Sequence, residues 1–103
     1  MKALYKKVGI VGTGAMGRGI AQLAAQAGSH VVLFDAMALA ASNAQQALID
    51  QWATLANKGK ISTEDASLFA KQLSVANELS ALADCDLIIE AIKEDLRDRK
   101  SVV

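Results

Sequence analysis

Val8-Gly9-Ile10-Val11-Gly12-Thr13-Gly14-Ala15-Met16-Gly17 is the stretch that decides the fold. Its first four residues are a short aliphatic run between lysines and a glycine cluster, the pattern of a fully buried strand. From Ala15 to Ala27 the apolar residues Met16, Ile20, Leu23, Ala24 and Ala27 recur at helical spacing, and Gly28 follows as a stop. His30-Val31-Val32-Leu33-Phe34-Asp35 is a second strand of the buried kind. Strand, glycine turn, helix and strand make one βαβ unit, whose two strands are expected to run parallel.

The glycines match G-x-G-x-x-G, a weak signal alone. Here the motif leaves a predicted strand and opens a predicted helix. An acid, Asp35, ends the next strand eighteen residues after Gly17. Gly12 allows the tight turn, Gly14 lets the backbone approach a pyrophosphate, and Gly17 lets the helix pack closely on the sheet. The N–H groups of the helix's first turn, at Ala15 and Met16 after Thr13, would hold the phosphates. The Gly-Lys-Ser/Thr of a nucleotide triphosphate loop is absent, which favours a dinucleotide. Asp35 is expected to accept hydrogen bonds from the adenosine ribose and to repel a 2′-phosphate. No Arg or Lys stands between Asp35 and Lys58, so NAD is favoured over NADP.

Outward from this unit, Ala36 to Asn57 reads as a long helix with the stripe Ala41, Ala44, Leu48, Trp52 and Leu55. Lys58-Gly59-Lys60 breaks it. Ser62 or Thr63 is placed to cap a short helix with Glu64 and Asp65 in its first turn and Leu68, Phe69 and Leu73 as its apolar face. A weak third strand over 73–76, a helical turn over 78–83, a fourth strand at Leu87-Ile88-Ile89 and a helix from Glu94 to Val103 complete the reading. Twenty alanines, no proline and 4% aromatics suit helices packed closely on aliphatic strands rather than a β-sandwich.

With 52% hydrophobic and 21% charged residues, the 103-residue chain is a folded domain and not a disordered tail. Its formal net charge of zero provides no electrostatic footprint for nucleic acid or an anionic membrane. The one cysteine, Cys85, precludes an internal disulfide and suits a cytoplasmic setting. The N-terminus lacks the pattern of a signal peptide, and no apolar run is long enough to span a bilayer. The last residues stop inside a helical pattern. Residues 1–103 are therefore expected to be one nucleotide-binding domain cut from a longer chain.

The chain resembles the NAD-binding domain of the 3-hydroxyacyl-CoA dehydrogenases. Three stretches bear the resemblance. They are Val8 to Ala21 with its G-x-G-x-M-G loop, the long helix leading into Lys58-Gly59-Lys60-Ile61-Ser62, and Ala83-Asp84-Cys85-Asp86-Leu87-Ile88-Ile89-Glu90-Ala91 to Leu96. The last separates this family from the small 3-hydroxyacid dehydrogenases, which share the first. The resemblance implies an α/β, Rossmann-type doubly wound parallel sheet, truncated, with strand order 3-2-1-4 and a helical excursion after strand two. It implies oxidation of 3-hydroxyacyl-CoA to 3-oxoacyl-CoA by hydride transfer to NAD in fatty acid metabolism, with a homodimer as the full-length state. It adds Glu94 and Arg99 as cofactor contacts, although the family usually has lysine at the position of Arg99. It adds Lys58 as a coenzyme A contact. An ordinary solvated loop lysine is the alternative for Lys58, and Gln51 stands where the family often has a serine. The family's catalytic histidine segment has no counterpart here, and His30 sits at a strand entry, so no catalytic residue is assigned. Two other readings compete: a small 3-hydroxyacid dehydrogenase, and a non-catalytic NAD-sensing module. Cys85, Trp52, Asp84 and Asp86 read as structural, and the role of Glu90 is open.

Overall fold

A computed structural model describes residues 5–37 and 39–91. Strands β1 (Lys7–Val11), β2 (His30–Phe34), β3 (Leu73–Val75) and β4 (Leu87–Glu90) form one sheet in the order β3-β2-β1-β4. Every pairing is parallel. Helix α1 (Ala15–Gln26) links β1 to β2, and α2 (Ala40–Asn57) and α3 (Thr63–Lys71) form the excursion between β2 and β3. The strand order and the excursion are those expected. The helix expected from Glu94 onward lies outside the described residues.

The register explains the layering. Val8 pairs with Val31, Ile10 with Leu33, and Val31 with Leu73, so these five side chains share one face of the sheet. They are buried together with Ala21 and Ala25 of α1 and with Ala41, Leu48 and Trp52 of α2. Ala66, Phe69 and Ala70 of α3 pack against the same cluster, and the Phe69 ring lies 5.5 Å from that of Trp52. On the other face Gly9 pairs with Val32 and Ile88. A carbon on Gly9 would stand 2.7 Å from Leu82 Cδ2 and 3.1 Å from Cys85 Sγ. The bare backbone there is what lets the Leu79–Leu82 3₁₀ turn settle on the sheet and bury Leu82 completely.

Four expectations need correction. The buried side of α1 is Gly17, Ala21 and Ala25, while Met16 and Leu23 are 69% and 70% exposed. A helix lying this close to the sheet accepts only the smallest side chains directly beneath it; Ile20 and Ala24 of the expected stripe pack half-buried at its flank, while Met16 and Leu23 turn outward. Leu68 likewise faces solvent, because Ala66, Phe69 and Ala70 supply the i, i+3, i+4 contact with the core. Helix α2 begins at Ala40 and not Ala36. Asp35 Oδ1 accepts the Met37 N–H at 2.9 Å, and Leu39 adopts a left-handed conformation (φ 67°), so the helix starts only after that turn. The third strand stops at Val75 rather than Ala76. Ser62 is the residue that caps α3, accepting the Asp65 N–H at 3.0 Å.

At the amino end of the sheet, Asp86 Oδ2 accepts the N–H groups of Lys6 and Lys7, both at 3.0 Å, and pins the start of β1 to the start of β4. Lys7 Nζ meets Asp84 at 2.7 Å. Asp84 and Asp86 are thereby structural, and no metal-binding cluster occurs among the described residues. Burial pushes the Cys85 thiol up, which suits a packed side chain and not a nucleophile. No helix among the described residues is long and apolar enough to cross a membrane.

Candidate dinucleotide site

The site follows from the register of β1 and β2. Val11 pairs with Phe34, so the next residues, Gly12 and Asp35, leave the sheet side by side at its carboxyl edge. The Gly12 N–H donates to the Phe34 carbonyl at 2.9 Å. Gly12 turns with φ 96°, a conformation that side-chain-bearing residues rarely adopt.

The other two glycines have different reasons. A carbon on Gly17 would overlap the Gly12 carbonyl oxygen and lie 3.0 Å from the Gly12 carbonyl carbon. Gly17 is therefore required by the close approach of α1 to the turn below it. Gly14 needs no such room: a carbon there meets no described residue within 4 Å, and its φ of −71° and ψ of −167° suit any residue. Neither backbone strain nor internal packing explains its bare surface. The space over Gly14 faces outward at the start of α1, where no side chain among the described residues caps the helix and no acid stands in the first turn. Helix α3, by contrast, has both a serine cap and two acids in its first turn. Among the described residues the positive end of α1 has no anionic partner, and its backbone is one that an anion can approach closely. A dinucleotide's pyrophosphate fits this cradle.

Asp35 closes the site on one side. Its Oδ2 accepts both the N–H and the hydroxyl of Thr13, each at 2.8 Å, and its Oδ1 accepts the Met37 N–H. The N–H donors of Met37 and Thr13, aided by the Thr13 hydroxyl, hold the carboxyl below the usual carboxylate range against the opposing effect of burial. A cavity of about 260 Å³ opens beside Asp35, between Met37, Leu39 and Ser42 on one side and Val75, Ala76 and Asn77 on the other. Neither the Thr13–Asp35 bond nor this cavity has a signal in the sequence. The bond joins residues 22 positions apart, and the cavity needs the end of β3 brought beside β2.

The structure thus brings together Gly12, Thr13, Gly14, Ala15, Met16, Gly17 and Asp35. Ala15 and Met16 are exposed on the first turn of α1. Lys58 does not converge with them: it is the exposed C-cap of α2, and an 18-residue helix is about 27 Å long. Gln51 lies instead in a groove of about 210 Å³ between α1 and α2 that also includes Arg18 and Gln22. His30 opens β2 at the opposite edge of the sheet, 3.2 Å from the Ser74 hydroxyl. Glu90 ends β4 in register with Val11, and its side chain makes no hydrogen bond to a described residue. Glu94 and Arg99 lie outside the described residues.

A parallel sheet whose first two strands end on a glycine cradle and an ionised aspartate defines a dinucleotide-binding α/β domain. Residues 7–103 match the family model described as the NAD binding domain of 3-hydroxyacyl-CoA dehydrogenase. The chain belongs to that family, and its cofactor is NAD. Over 95 residues it is 42% identical to a 3-hydroxybutyryl-CoA dehydrogenase from Bradyrhizobium diazoefficiens, covering 91% of this chain and 32% of that protein. It is 35% identical to a 3-hydroxyadipyl-CoA dehydrogenase from Escherichia coli, covering 92% of this chain and 20% of the relative. The crystal structure of an Escherichia coli K12 3-hydroxybutyryl-CoA dehydrogenase superposes with a TM-score of 0.83 at 34% identity, covering 95% of this chain and 21% of that one. The chain spans a third or less of the length of these relatives.

Proposed function

We propose that this domain holds NAD across the carboxyl ends of β1 and β2 and serves a longer protein that oxidises 3-hydroxyacyl-CoA to 3-oxoacyl-CoA. Gly12 to Gly17 cradle the pyrophosphate, with Gly14 giving it access and the first turn of α1 its N–H donors. Asp35 accepts the hydroxyls of the adenosine ribose, and the cavity beside it receives the adenine. Bound NAD supplies a hydride acceptor for C3 of the substrate. The hydroxyl proton requires a base outside this chain, because His30 is at the wrong edge of the sheet and is bonded to Ser74. Lys58 contacts a phosphate of coenzyme A, and Glu94 and Arg99 complete the cofactor contacts. The full-length enzyme is a cytoplasmic homodimer acting on acyl-CoA, with neither nucleic acid nor membrane as a partner.

The observation that carries this reading is the bareness of Gly14, above a helix that no described side chain caps. Calorimetric titration of the chain with NADH and NADPH tests it. NADH is expected to bind at least about tenfold more tightly, which corresponds to one hydrogen bond to a charged group. Equal or tighter binding of NADPH overturns the assignment of Asp35 to the ribose. Binding of neither overturns the cradle.

A further inference from the structure

The Asp35 carboxylate is held by contacts internal to the chain. Thr13 is only 6% exposed. Its side chain is turned into the protein, where the hydroxyl donates to Asp35 Oδ2 beside the backbone N–H of the same residue. A carboxylate oxygen has about two lone-pair sites. The two Thr13 donors therefore saturate Oδ2, while Oδ1, which accepts the Met37 N–H, keeps one site open. A carboxylate without such donors rotates broadly about its last torsion.

We propose that Thr13 is a positioning residue for the cofactor: it locks the Asp35 carboxylate so that Oδ1 is the oxygen presented to the ribose, and through Asp35 it sets the preference for NAD over NADP. The proposal rests on the reading that this domain holds NAD. Thr13 is too buried to be the main contact itself, so its influence runs through the aspartate. Without the hydroxyl, the carboxylate keeps the two N–H donors but loses one of the three bonds that restrain its rotation. It then meets the ribose hydroxyls in fewer of its orientations and opposes a 2′-phosphate less squarely.

A change in ionisation accompanies the change in orientation. The three donors stabilise the charged carboxylate, and no charged side chain among the described residues contributes to that effect. Among the described residues, the loop after β2 and the end of β3 bring no second ionisable side chain to the cavity beside Asp35. Glu90, at the end of β4, and Glu94 are the other carboxylates assigned to this edge, so the part of the acid limb of NADH binding that Asp35→Asn removes reports Asp35, and removing the Thr13 hydroxyl moves that part toward neutral pH.

The test is titration of the chain with NADH and NADPH across pH, for wild type, Thr13→Val, Thr13→Ser, Asp35→Asn and the Thr13→Val, Asp35→Asn double variant. Thr13→Val should weaken NADH binding about five- to tenfold, narrow the NADH to NADPH ratio and move the acid limb upward. Thr13→Ser should restore all three. In the Asp35→Asn background Thr13→Val should add no further change in the ratio. Unfolding followed by Trp52 fluorescence checks each variant, and Thr13→Ala against Thr13→Ser replaces the comparison if the valine variant is unfolded. A wild-type ratio and acid limb in Thr13→Val overturn the positioning role while NADH binding by wild type upholds the domain reading. A full Thr13→Val effect in the Asp35→Asn background also overturns it, because Thr13 then touches the cofactor directly. Failure of wild type to bind either nucleotide removes the domain reading and this proposal together.

Discussion

Gly17 and Gly14 stand three residues apart in one loop, and the structure predicts opposite consequences for replacing them. In Gly17→Ala the new carbon overlaps the Gly12 carbonyl oxygen, with the Gly12 carbonyl carbon at 3.0 Å and Ile10 Cγ2 at 3.4 Å. The first two are backbone atoms and cannot swing aside as a side chain would. Gly12 is itself held by its φ of 96° and by the bond to Phe34. Helix α1 must therefore move off the sheet and loosen Ala21 and Ala25 from the core. Overpacking of this kind costs about 1–3 kcal/mol, and with two backbone atoms opposing the carbon the upper end applies. Alanine recovers about 1 kcal/mol in helix propensity, leaving a net loss of about 2 kcal/mol. With a urea slope of about 1–2 kcal/mol/M, the midpoint should fall by about 1–2 M. Gly14→Ala meets no described residue within 4 Å in a conformation open to any residue. It should leave stability within about 1 kcal/mol of wild type, on the stabilising side, by restricting the unfolded chain. Trp52, the only tryptophan and fully buried against Phe69, reports both transitions. NADH titration of the same samples completes the pair: Gly14→Ala, and more severely Gly14→Val, should lose binding while folded. Unchanged stability in Gly17→Ala, or a collapse of stability in Gly14→Ala, would refute the division between a glycine needed by the fold and one needed by a ligand.

Two further outcomes follow from the loop after β2. The Met37 and Thr13 donors depress the Asp35 carboxyl, so its contribution to stability is complete above the unfolded value of about 3.9 and is lost as pH falls through the folded one. Urea midpoints of wild type and Asp35→Asn should therefore converge below about pH 4, and a constant gap down to acid pH would contradict the bonding seen here. Leu39 holds a left-handed conformation while 72% exposed, so Leu39→Gly relieves about 1–2 kcal/mol of strain against about 0.5–1 kcal/mol of added chain entropy. A modest rise in thermal midpoint by calorimetry is expected, and a fall would show that the leucine side chain contributes packing that outweighs the strain.

Much of the architecture is local and was legible in the sequence. Continuous runs such as Val8 to Val11 and His30 to Phe34 bury both faces of a central parallel strand, so their composition alone declares them. The stripe Ala41, Ala44, Leu48 and Trp52 is a helical period, and all four residues are buried. The glycine spacing and the acid that ends the second strand are legible in the same way, since each is read from its place at the end of a local strand pattern. What the tertiary structure decided are the relations between distant segments. Periodicity placed Met16 and Leu23 on an apolar face, but the distance of α1 from the sheet excludes them and admits Gly17, Ala21 and Ala25. Periodicity also offered Leu68, and the position of Trp52 on a neighbouring helix selected Phe69 instead. Three glycines that look alike in the motif separate only in space: Gly12 by its turn, Gly17 by the carbonyl beneath it, and Gly14 by having no described residue above it. The bond from Thr13 to Asp35 belongs to the same category. Hydrogen bonding depends on where two chain segments meet, and these residues meet only because β1 and β2 lie in parallel register and end together.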